Sequence, residues 1–169
     1  MSATPIPRTL NLSLSKVRDI SLITTPPVGR KSVKTIVSRY SKSLVYEAIQ
    51  REFYRDGQVF YLLNNVSALE DKRNEIYKRF PDKTIAFAHG QLKPKELAAI
   101  MQKFIEKKID LLVCTTIIES GIDIENANTL IVENSENYGL SQLHQIRGRV
   151  GRSKRCLLYT SDAADEITG

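Results

Sequence analysis

An α/β domain, with a parallel sheet covered by helices on both faces, is what this sequence predicts. Three observations predict it. Its short apolar runs are continuous rather than alternating, the pattern of strands buried on both sides. The stretches between those runs carry apolar residues at helical spacing. The two kinds of segment alternate along the chain, as strand–helix–strand crossovers require.

In chain order, "VKTIV" (33–37) is the first expected strand. "SLVYEAIQREFYR" then sets Leu44, Val45, Ala48, Ile49 and Phe53 on one side of a helix, which the "DG" pair at 56–57 stops. "VFYLL" (59–63) is a second strand, and "SALEDKRNEIYKRF" a helix whose Ser67 and Glu70 have the spacing of a capping box. After the strand "TIAFA" (84–88) comes "PKELAAIMQKFIEK". There Pro94 suits the first turn, and Leu97, Ile100, Met101, Phe104 and Ile105 form one buried face. "DLLVC" (110–114) and "TLIV" (129–132) are two further strands, and "GLSQLHQ" opens a helix expected to be capped by Ser141. Residues 1–30 hold four of the six prolines and read as a linker entering the domain. The domain itself is expected over 31–155.

Composition narrows the class of function. With 41% hydrophobic and 26% charged residues the chain reads as one soluble domain. It contains no run of eighteen apolar residues and no apolar signal core in "MSATPIPRTL", so membrane spanning and export are not expected and cytoplasm is. Net charge is +6; the last fourteen residues carry three acids and no base, and without them 25 bases face 16 acids, or +9. Such a balance suits a polyanionic partner. Cys114 and Cys156 form no CxxC, and His89 and His144 are too few and too separated, so neither a disulfide framework nor a metal site is expected.

Ligands of parallel sheets bind outside the carboxyl ends of the strands. The residues just past the expected strands are Asn64 and Asn65, His89 and Gly90, Thr115 and Thr116, and Glu133 and Asn134. Small polar groups and bare backbone suit contacts to a sugar–phosphate chain, although Asn and Gly are also ordinary turn residues. Beyond them Gly121 allows close approach of a ligand to the backbone, and Asp123 can accept from a ribose hydroxyl. The densest feature is "QIRGRVGR" (145–152), with Arg147, Arg149 and Arg152 packed among two glycines. Each glycine in a helix interior costs about 1 kcal/mol relative to alanine, which points to a neighbouring surface that must come close. Arginine presents a planar donor fork to phosphate oxygens, and one aimed at a transferring phosphate is worth roughly 10³–10⁵ in rate.

The spacing Gln145-x-x-Gly148-Arg149-x-Gly151-Arg152 resembles motif VI of superfamily 2 helicases and translocases. "TTIIESGIDI" resembles their motif V, and "SATPIPRTL" their motif III. "RDISLITTPP", "LNNV" and "AHGQL" add a more specific resemblance to the bacterial transcription-repair coupling factors, with RecG-like fork-reversing helicases next. The resemblance implies a RecA-like second motor lobe. Arg149 and Arg152 would meet the γ-phosphate of ATP from across a cleft, with Gln145 orienting in the same site. Gly121 and Asp123 would lie near the nucleotide. Thr115, Thr116, His89, Gly90, Asn64 and Asn65 would lie on the DNA side. Ser2 and Thr4 would couple hydrolysis to movement between lobes, and Arg147 would pack or pair. Glu125 departs from the family's usual proline.

The family's G-x-x-x-x-G-K-[ST] loop and DExx box belong to its first motor lobe, which this sequence does not include. ATP and Mg2+ are therefore expected to be held mainly by that lobe, with none bound by this chain alone and no metal site of its own. Double-stranded DNA is the expected direct partner. RNA polymerase and nucleotide-excision-repair proteins would be met through regions absent here. The resemblance leaves two rivals: the equivalent lobe of a RecG-like branch-migration helicase, or a nucleic-acid-binding module without catalysis. In the tail, 156–169, "CLLY" suits a strand start, but "CLLYTSDAADE" coincides with one frame of a transposon-end sequencing adapter. Residues 156–169 are accordingly read as a non-native tail, leaving the domain incomplete at its C-terminus.

Overall fold

A computed structural model of the chain describes residues 34–115, 127–149 and 156–161. Six strands form one parallel sheet: β1 (Lys34–Arg39), β2 (Gln58–Leu62), β3 (Ile85–Ala88), β4 (Leu111–Cys114), β5 (Ala127–Val132) and β6 (Cys156–Ser161). Their order across the sheet is β1-β6-β5-β2-β4-β3. The helices are α1 (Lys42–Tyr54), α2 (Leu69–Arg79), α3 (Pro94–Ile105) and α4 (Leu140–Arg149).

Every residue of β2 and β4 is buried, which is why their sequences show no alternation. Alternate side chains still part to opposite faces. Val59, Tyr61, Val113 and Ile131 meet Val45, Ile49 and Phe53 of α1 and Leu69 and Ile76 of α2. Phe60, Leu62, Leu112 and Leu130 meet Met101 and Phe104 of α3 and Ile146 of α4. The architecture is the α/β sandwich with helices on both faces that the apolar runs predict.

Three local expectations fail. Ser67 does not cap α2, because Asn65 Oδ1 accepts from both the Ser67 amide (3.0 Å) and its hydroxyl (2.7 Å). That bond holds residues Val66–Ala68 in a 3₁₀ turn, and the helix starts at Leu69. Ser141 is not the cap of α4. The helix begins one residue earlier, where the Gln142 side chain reaches back to the Gly139 amide (3.0 Å), half of a capping box. Ile105 is 46% exposed rather than buried, since α3 ends there and its last turn overhangs the core.

The "DG" stop works differently from a glycine turn. Asp56, not Gly57, takes the positive φ (53°). Gly57 is needed for space: a Cβ added there would stand 1.7 Å from Glu52 Oε1. Glu52 is fully buried, where it accepts from Thr129 Oγ1 (2.6 Å) and pairs with Arg55.

Strand β6 is formed by residues that the sequence assigns to the tail. It lies between β1 and β5, its register running from Lys34↔Cys156 to Arg39↔Ser161 and from Thr129↔Cys156 to Val132↔Tyr159. Thr160 is buried, and its hydroxyl donates to Val132 O (3.3 Å).

Candidate functional site

The parallel register brings four strand ends to one level. Leu62 stands opposite both Cys114 and Val132, and Ala88 opposite Cys114. The ladder continues one residue further, with Leu63 N donating to Cys114 O and Glu133 N to Leu62 O, both at 3.0 Å. Asn64 and Asn65, His89 and Gly90, Thr115 and Glu133 therefore leave the sheet along one edge. Of these, Asn64, Asn65 and Gly90 are exposed, and His89, Thr115 and Glu133 half-buried.

Each group at this edge has a definite local setting. Asn65 uses its carbonyl oxygen in the 3₁₀ turn, so its amide NH₂ is the group it can present outward. His89 lies nearly parallel to the Phe87 ring (13°, centroids 6.4 Å apart). Its enclosed Nδ1 has no hydrogen-bond partner among the described residues. Gly90 has no positive φ, and among the described residues an added Cβ meets no neighbour within 4 Å, so none of them requires glycine there. Ser135 Oγ and Tyr138 OH, in the turn after β5, are also buried without a partner among the described residues. Burial pushes the Tyr138 hydroxyl above its usual pKa, helped by Cys114 and Glu133.

Beside the edge lies a cluster that the sequence pattern does not announce. Lys72 of α2 donates to Tyr40 OH (3.0 Å) and pairs with Glu133 Oε2 (3.1 Å) and Glu75 Oε2 (3.3 Å). Tyr61 OH donates to Glu133, and Tyr46 OH (2.9 Å) and Lys42 (2.9 Å) meet Glu75. The Lys72 and Glu133 side chains are only 12% and 13% exposed. Burial alone would lower the Lys72 pKa, but the Tyr40 hydrogen bond and the Glu133 charge outweigh it and leave it raised. Glu75, opposed by burial, is lowered by its bonds to Lys42, Tyr46 and Lys72. The one signal available in sequence was the i, i+3 spacing of Lys72 and Glu75. Nothing there foretold the approach of β5.

Of the remaining candidates, Gln145 is exposed on α4, and the backbone of Arg149 closes that helix. Ser2, Thr4, Thr116, Gly121, Asp123 and Arg152 lie outside the described residues. Among the described residues no group of three or more His, Cys, Asp and Glu side chains is placed to hold a metal, and no helix is long and apolar enough to cross a membrane.

Comparison with known proteins adds the family. The model of the helicase conserved C-terminal domain matches residues 41–154. The transcription-repair-coupling factor of Buchnera aphidicola subsp. Baizongia pistaciae (strain Bp) is 52% identical over 154 residues, 91% of this chain and 22% of that protein. That of Staphylococcus aureus (strain USA300) is 52% identical over 155 residues, 92% of this chain and 13% of that protein. The chain thus spans less than a quarter of either relative. Among solved structures, RecG bound to a three-way DNA junction superposes with a TM-score of 0.80 at 37% identity, covering 99% of this chain and 24% of that one. Mycobacterium smegmatis Lhr, bound to ssDNA and AMP-PNP, shares the fold (TM-score 0.62, 14% identity, 81% of this chain and 20% of that one). By fold and sequence this chain belongs to the helicase conserved C-terminal domain family, as a RecA-like second motor lobe similar to those of the transcription-repair coupling factors.

Proposed function

We propose that the chain is the second motor lobe of an ATP-dependent double-stranded DNA translocase, one that couples transcription to repair by displacing stalled RNA polymerase. The observation that carries this reading is the level strand edge, where exposed Asn64, Asn65 and Gly90 stand with Thr115 and His89. Among the described residues none requires Gly90 to be bare, and His89 Nδ1 is enclosed without a partner. In this reading the exposed groups of this edge meet the phosphate backbone of duplex DNA.

The arginine helix supplies the other half. Arg149 and Arg152, with Gln145, would approach the γ-phosphate of ATP held by a first motor lobe, near Gly121 and Asp123. Bound there, Mg2+ and the first lobe would carry most of the phosphate charge, and the arginines would stabilise what develops in transfer. Ser2 and Thr4 would couple that event to lobe movement. Alone, the chain neither holds ATP tightly nor hydrolyses it. RNA polymerase and excision-repair proteins would dock elsewhere in the longer protein, which would work in the cytoplasm. The superposition on RecG favours a second reading, the equivalent lobe of a branch-migration helicase. Genomic sequence on either side of the frame separates them, by a polymerase-interaction domain or an OB-fold wedge domain.

The domain then runs over 31–155 after an inter-lobe linker at 1–30, and the residues from Cys156 to about Glu166 derive from adapter. The "LLYT" run, with its β-favouring Tyr and Thr, lets Cys156–Ser161 fill the slot between β1 and β5.

The test is duplex binding by the purified chain against salt. Affinity should fall steeply as salt rises and be largely retained in the double variant Arg149→Ala with Arg152→Ala, which in the reconstituted full-length protein should instead destroy ATP turnover; turnover left intact would favour a nucleic-acid-binding module without catalysis. Loss of DNA binding in that variant would assign the arginines to DNA and remove the nucleotide role.

A further inference from the structure

We propose that Lys72 is a positioning residue, clamping the end of β5 so that the turn after it launches α4, with Gln145 and Arg149, from one fixed point. This rests on the reading of α4 as the arginine helix of a motor lobe. The ammonium of Lys72 has three oxygen partners within 3.3 Å, on three different elements: Tyr40 just past β1, Glu75 on α2 and Glu133 just past β5. It also sits over the Tyr40 and Tyr61 rings, 5.1 and 5.7 Å from their centroids. Glu133 is held a second time by the Tyr61 hydroxyl and a third by its own amide, which donates to Leu62 O at 3.0 Å.

The connection from Glu133 to α4 has little freedom to absorb error. Asn134 takes a left-handed conformation (φ 52°, ψ 55°), Ser135–Asn137 make one 3₁₀ turn, and Gly139 is tied to Gln142. Leu140 then opens a helix whose Ile146 is packed in the core. A shift at Glu133 therefore passes along a short, bonded segment into α4. Misplacement of a catalytic group by about 1 Å can cost as much as 10²-fold in rate.

The test has two arms. In the full 169-residue chain, hydrogen exchange is measured for wild type, Lys72→Met and Tyr61→Phe, the last removing only one hydroxyl from the clamp. Expected is an increase of about tenfold or more confined to residues 133–149, larger in Lys72→Met, with β2, β4 and α3 unchanged. A uniform increase, or none in either variant, would overturn the proposal. In the second arm this lobe replaces the matching segment of the Staphylococcus aureus relative, and ATP turnover is followed well below the melting temperature. Lys72→Met should lower kcat about tenfold with the KM for ATP unchanged, and should cost nothing further in an Arg149→Ala background. Full additivity of the two substitutions contradicts positioning through Arg149. A wild-type graft without ATP turnover sinks the motor reading, and the positioning role with it, whereas the exchange arm reports on the clamp by itself.

Discussion

At Gly57 the backbone turns against a carboxylate that is wholly enclosed, and no side chain fits between them. Gly57→Ala should therefore destabilise the chain by about 1–3 kcal/mol, the usual cost of overpacking, read as a lower urea midpoint at unchanged slope. Gly90→Ala is the opposite case: open space and no positive φ predict a stability change within about 0.5 kcal/mol. Its cost should appear in duplex affinity, as a loss of severalfold in a binding titration. The two glycines look alike in sequence. "DG" reads as a helix stop, and the buried Glu52 that makes Gly57 necessary was invisible because charged residues are seldom fully buried. Similarly, Lys72 and Glu133 lie far apart in the chain, and only the fold, which brings the Lys72 side chain to the residue just past β5, joins them.

Among the elements, strands and helices were legible wherever burial was complete or periodic. Continuous apolar runs gave β2 through β5, and the spacing of Val45, Ile49 and Phe53 gave α1. Helix starts were less legible, because Asn65 and Gln142 provide the end contacts that Ser67 and Ser141 could equally have made. The strand order was not legible at all, since it depends on where β6 inserts. Because β6 takes the slot beside β5, β1 pairs among the described residues with β6 alone. Ending the chain at Arg155 should free β1 from the sheet and expose the edge of β5. Thermal unfolding followed by circular dichroism should shift down by roughly 5–10 °C and broaden. An unchanged melt would mean that residues 156–161 add nothing to the sheet.

For the molecule as a whole, four buried groups link stability to alkaline pH. Burial raises the Cys114 thiol and the Tyr138 hydroxyl; burial and Glu133 raise the Tyr61 hydroxyl; the clamp partners of Lys72 outweigh burial and raise its ammonium. In the unfolded chain these groups lose protons near pH values of about 8.5, 10 and 10.4. The folded state thus binds more protons above those values, so their contribution is complete below about pH 8.5 and is lost as pH rises beyond it. Melting temperature should fall from about pH 8.5 upward, and Cys114→Ala should delay the onset toward about pH 10. On the acid side Glu75, held low by its cations, contributes stability above about pH 4.3 and loses it as pH drops through its lowered value.

In the proposed function this lobe is one wall of a catalytic site. The direct measurement is DNA-stimulated phosphate release from ATP, by the isolated chain and by the graft into the Staphylococcus aureus relative. The isolated chain should release no phosphate above buffer, while the graft should turn over ATP and lose roughly 10³-fold or more on Arg149→Ala or Arg152→Ala. DNA-stimulated release from the isolated chain, abolished by Arg152→Ala, would mean that this lobe holds a complete catalytic site.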